Sequence, residues 1–86
     1  MADRRVRQSG KNDEGDITSL CNTGEWWSPR AKRDAISDIE NGTHRYFVHE
    51  VEPPVWVRVI QTSTGKHLRT DADRTSRNNL DNLPDC

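Results

Sequence analysis

Between Ser28-Pro29 and Asn41-Gly42 lies the one stretch of this chain whose apolar residues recur with a helical period. Ala31, Ala35, Ile36 and Ile39 fall on a single face there. Ser28 suits the N-cap, because its hydroxyl can accept from a free N–H of the first turn. Pro29 suits the first helical position, where no N–H is needed. Gly42 is free to take the left-handed conformation that closes a helix. The predicted helix spans 29–41. One helix cannot bury itself, so strands must complete the fold, and the class is α+β.

The strands are legible on either side. Ile17 to Asn22 reads as a first strand, and Asn22-Thr23-Gly24 as a turn. After the helix, Arg45 to Val51 is rich in β-formers. Glu52-Pro53-Pro54 must break the ladder, since neither proline can donate. Val55, Val57 and Val59 alternate with Trp56, Arg58 and Ile60, the period of a half-buried strand. The valine face belongs under the helix. Thr62 to Lys66, with Gly65, reads as a hairpin loop, and His67 to Thr70 as a last strand. Leu80 and Leu83 fit one helical turn docked on the body, ended by Pro84. The expected order is β-α-β-β-β: one helix on a four-stranded, mostly antiparallel sheet with a docked C-terminal tail. Strand order stays open, because the connection through the helix permits a parallel placement. Residues 1–15 are polar, hold Gly10 and Gly15, and show no hydrophobic period. They read as a disordered arm, leaving 16–86 as a single domain.

Two stretches carry a resemblance. Ala35-Ile36-Ser37-Asp38-Ile39-Glu40-Asn41-Gly42 runs on to Tyr46-Phe47-Val48; Lys66-His67-Leu68-Arg69-Thr70 leads to Asn79-Leu80-Asp81-Asn82-Leu83-Pro84-Asp85-Cys86. They resemble a bacterial group of small proteins known as domain of unknown function 3892, over roughly residues 17–86. The resemblance implies a small stand-alone domain and supplies no catalytic residues. Arg74 stands where the resemblance leads one to expect glycine in a turn.

Composition narrows the function classes. Of 86 residues, 30% are apolar and 31% charged, so the core is lean and a deep catalytic cavity is hard to carve from it. The net charge of −1 lacks the basic balance of a dedicated nucleic-acid binder. No apolar run reaches the roughly 18 residues of a membrane span. The basic start Met1-Ala2-Asp3-Arg4-Arg5 is not followed by an apolar segment, so no secretory signal is read and a cytoplasmic protein is expected. In a reducing cytosol, Cys21 and Cys86 are expected as free thiols.

Candidate chemistry gathers at the helix entry. Arg30, Lys32 and Arg33 crowd the predicted first turn, while Asp38 and Glu40 sit in the last, so both ends oppose the helix dipole. Trp26 and Trp27 stand just before the cap at Ser28. Free N–H groups, cations and indole rings together make an anion site. The competing expectation is that Asp71, Asp73, Asp81 and Asp85 of the tail fold over those cations. A second face carries Trp56 and Arg58, able to stack a base and contact a phosphate, or to bury itself in a dimer.

Other chemistry is thin. Cys21, His44, His49, His67 and Cys86 show no paired metal-ligand spacing, so no metal or cofactor is expected. Asp71-Ala72-Asp73 with Thr75 opens like a calcium loop, but Ser76 and Asn82 occupy positions that need glycine and glutamate. No nucleophile–base pairing and no glycine-rich phosphate loop is present, so no catalytic residue is named. The expected function is a non-catalytic binding module for a small anion or a protein, monomeric or weakly dimeric. The alternative is a structural or interaction unit self-associating through a sheet edge or the Trp56 face.

Overall fold

The computed structural model describes residues 2–70 and 79–86. Expectations placed on Asp71, Ala72, Asp73, Arg74, Thr75 and Ser76 lie outside those residues. The elements are β1 (Ala2–Arg5), β2 (Gln8–Lys11), β3 (Ile17–Cys21), β4 (Arg30–Ala31), α1 (Lys32–Glu40), β5 (His44–Val48), β6 (Val55–Thr62) and β7 (Gly65–Thr70). A 3₁₀ turn, Leu80–Asn82, follows in the tail.

Two sheets form. One is four-stranded in the order β1-β5-β6-β7, with β1 parallel to β5 and the other pairs antiparallel. The second is antiparallel, in the order β2-β3-β4. α1 packs against β3, β5, β6 and β7, so it lies across both. Among the described residues, the α+β class, the single helix, the mostly antiparallel four-stranded sheet and the docked tail are as the sequence implies.

The membership of the sheets is not. Residues 1–15 are no disordered arm, because β1 supplies the fourth strand of the large sheet and β2 pairs with β3. Val6 and Arg7 carry the chain between the sheets. The Val6 N–H donates to Phe47 O at 2.8 Å and the Arg7 N–H to Cys21 O at 2.9 Å. Val6 is fully buried. The segment escapes a periodicity search because backbone pairing, with one valine and Ser9 inside, holds it rather than an apolar stripe. Gly10 is buried, and a Cβ there would collide with Ser19 Oγ, so this glycine serves close approach instead of looseness.

α1 starts later than predicted. Arg30 and Ala31 pair with β3 (Leu20↔Arg30, Ser19↔Ala31), which holds them extended. Ala31 is then the N-cap, without a side-chain cap, and is exposed instead of facing the core. Ser28 is no cap; its Oγ accepts from the Asn22 N–H at 2.9 Å. The stop is as expected, with Gly42 at φ 70°. Val55 and Val57 are buried and Val59 packs at the core's margin, so the valine face does lie under α1.

The tail docks on β2. Leu80 and Leu83 enter the core, and Asn79 caps its turn by accepting from the Asp81 N–H at 2.9 Å. Cys21 and Cys86 are not free thiols. They form a disulfide, because the tail's path along β2 brings Cys86 to the end of β3.

Candidate functional site

The helix turns Asp38 inward, three residues after the buried Ala35. A buried carboxylate needs donors; two strands supply them and a third adds a cation. Arg30 of β4 donates through Nε to Oδ2 and through Nη2 to Oδ1, both at 3.0 Å. Tyr46 of β5 donates its hydroxyl to Oδ2 at 2.6 Å. Arg4 of β1 donates Nη1 to Tyr46 Oη at 3.0 Å and lies 3.9 Å from Asp38. A guanidinium only donates, so its 3.0 Å contact with His44 makes Nε2 the acceptor and places the histidine's proton on Nδ1. Among the described residues, that Nδ1 is buried without a hydrogen-bond partner. The Arg4 cation sits 5.3, 5.5 and 5.8 Å from the ring centres of Trp26, Trp27 and Tyr46, within cation–π range.

The titration of this hub follows from its geometry. Burial pushes the Asp38 carboxyl up, but the hydrogen bonds from Arg30 and Tyr46 and the Arg30 charge outweigh it, leaving it below its ordinary value of 3.8. Burial, then the bond to Asp38, raises the Tyr46 hydroxyl. The bond to Asp38 likewise raises Arg30.

The anion cradle drawn from Trp26, Trp27, Ser28, Arg30, Lys32 and Arg33 is therefore not assembled as expected. Arg30 is on a strand and its charge is met from inside by Asp38. Trp27 is core, edge-on to Tyr46 at 5.8 Å. Trp26 is 85% exposed. Lys32 is half-buried and Arg33 exposed on the first turn beside Asp34. Of the tail's acids, Asp85 pairs instead with Lys11 on β2 at 2.9 Å, and Asp71 and Asp73 lie outside the described residues. One signal for the hub was present in the sequence: an acid on the flank of the apolar stripe.

The second predicted pair fares differently. The β5–β6 ladder holds only Phe47↔Trp56 and Val48↔Val55. Beyond it the strands part, and the end of α1 closes a groove of about 700 Å³. Trp56 and Arg58 line it with Arg45, Lys66, Glu40 and Ile39. Trp56 is half-buried, edge-on to Phe47 at 5.9 Å, with the Arg45 guanidinium 4.3 Å from its ring centre. Arg45 also bonds both oxygens of Asp3, at 2.9 and 3.0 Å. Lys66 grips Glu40 at 2.9 and 2.7 Å, tying β7 to the helix end. Sequence reading missed Arg45 and Lys66, which only the divergence of the strands brings to Trp56.

Among the described residues, no three His, Cys, Asp or Glu side chains converge on a metal position. His49 pairs with Glu52 and His67 contacts Thr64. The family model described as "Protein of unknown function (DUF3892)" matches residues 4–84, and so takes in the second half of β1 and all of β2 as well as the later strands. No curated protein and no solved structure matches.

Proposed function

The chain belongs to this family, and we propose that it is a non-catalytic binding module whose ligand lies in the groove beside Trp56. The observation that carries this reading is the charge around the indole: Arg45, Arg58 and Lys66 against Glu40. The ligand is a small anion on a flat apolar body, such as an aromatic carboxylate or a nucleotide. The groove's volume falls within the range of small-molecule sites, roughly 300–1,000 Å³. The ion pairs of Arg45 and Lys66 are solvent-exposed and so worth little. An incoming carboxylate or phosphate can exchange with Asp3 or Glu40 at small cost.

The test is tryptophan fluorescence during titration with adenosine monophosphate and with an aromatic carboxylate at low and high salt. A saturable response, weaker at high salt, is expected. Trp56→Phe should remove it, whereas Trp26→Phe should not. Silence at millimolar ligand, or a response that vanishes with Trp26, would defeat the reading. Light scattering over a dilution series separates it from self-association through the Trp56 face.

No described helix is long and apolar enough to cross a membrane. A cytoplasmic setting in a bacterial cell remains part of the proposal. It is compatible with the Cys21–Cys86 disulfide when that bond is reversible, because lasting disulfides belong to oxidising compartments.

A further inference from the structure

The tail is held to the body by two kinds of bond. Non-covalently, Leu80 and Leu83 are buried, and Ser9 Oγ donates to Leu80 O at 2.6 Å. The Ser9 N–H donates to Pro84 O at 3.0 Å. Lys11 Nζ donates to Leu83 O at 3.0 Å and to Asp85 at 2.9 Å. Covalently, the Cys21–Cys86 disulfide closes the end of this strap. Anchorage is uneven along it. Leu80 and Leu83 sit in the core, whereas Pro84, Asp85 and Cys86 are exposed.

The two cysteines are also unequally buried. Cys21 is 5% exposed within β3, while Cys86 is exposed. Thiol–disulfide exchange requires a thiolate to reach one sulfur and expel the other, so access decides which is attacked. Only the Cys86 residue offers an open approach.

We propose that Cys21–Cys86 is a reversible redox site, reduced by a dithiol that attacks at Cys86, and that its state latches or frees the outer tail on β2. The first thiolate of the dithiol bonds to Cys86 Sγ. The Cys21–Cys86 bond breaks, its electron pair leaves on Cys21 Sγ, and that sulfur takes up a proton. The second thiol of the reductant then loses its proton and attacks its own partner sulfur in the mixed disulfide, expelling Cys86 as a thiolate that is protonated in turn. The reductant gives up two electrons and two protons and becomes a disulfide; Cys21 and Cys86 gain both as thiols. The edge of β2 at Ser9, covered by Pro84 and Asp85 in the oxidised protein, becomes intermittently open. This proposal is independent of the groove beside Trp56.

Amide hydrogen exchange on the full chain, oxidised and treated with dithiothreitol, tests it. Alkylation and mass measurement check that two thiols have formed. Exchange at the Ser9 amide is expected to speed up by about tenfold or more on reduction, as for a local opening, with the β6–β7 amides unchanged. Cys86→Ser should show the same exchange pattern without reductant. A brief pulse of glutathione should leave its adduct on Cys86. Equal Ser9 exchange in both states would overturn the proposal, as would equal acceleration in the β6–β7 hairpin, which would make the bond a general staple. An adduct on Cys21 would overturn the assigned point of attack.

Discussion

Two acids of α1, Asp38 on its buried side and Glu40 on its exposed side, carry ionic contacts of opposite character. At the first, Arg4 and Asp38 keep only 6% and 8% of their side-chain surface in solvent. At the second, Lys66 and Glu40 keep 46% and 41%, and across the groove Arg45 and Asp3 keep 49% and 46%. Charges out of water are expensive unless each finds partners, so the Asp38 hub is a committed structural element. Charges in water are weakly held, so the groove beside Glu40 keeps cations that a ligand can recruit. Aromatic rings flank cations in both places, and burial decides what those cations can do.

Removing the carboxylate of Asp38 should break this comparison open most sharply. Asp38→Ala leaves Arg30 and Arg4 without their counter-charge and is expected to cost about 3–5 kcal/mol, read by urea denaturation. A loss below about 1 kcal/mol would erase the distinction between the two clusters. Tyr46→Phe deletes the donor to Asp38 and the acceptor for Arg4, and should cost about 1–3 kcal/mol by the same measurement.

Acid sharpens the contrast further. Because the folded Asp38 carboxyl lies below 3.8, the unfolded chain takes up that proton first as pH falls. The stabilisation is whole above the ordinary carboxyl range and drains away as pH drops through the folded value. Denaturation midpoints followed through this acid window should fall in the native protein, and Asp38→Asn should flatten part of that slope. A slope unchanged by the substitution would place the acid sensitivity elsewhere.

In the groove, Lys66→Ala should change stability by about 1 kcal/mol or less, while weakening the anion-induced fluorescence response several-fold. A large stability loss with unaltered ligand response would reverse the roles assigned to the two clusters.

Much of this molecule is written locally. The alternation of Val55, Val57 and Val59, the Asn41-Gly42 stop, the Gly65 hairpin and the Leu80–Leu83 turn each rest on neighbours in sequence, where period and turn chemistry suffice. Trp56 and Arg58 were recognisable as a pair because they lie two apart on one strand. The rest depends on partners far along the chain. β1 and β2 have no apolar period, and their order comes from pairing with β5 and β3. Ser28-Pro29 has the form of a helix start, yet β3 recruits Arg30 and Ala31 into a ladder first.

By itself, the sequence determined the α+β class, one helix, the buried valine strand and a tail with a docking turn, since these follow from short-range patterning. Tertiary structure alone decided that Arg30 answers Asp38, that Arg45 and Lys66 gather at Trp56, and that Cys21 meets Cys86. A charge or a sulfur carries no mark of its partner. Its role is set by whichever group the folded backbone brings near, and by how much water is left between them.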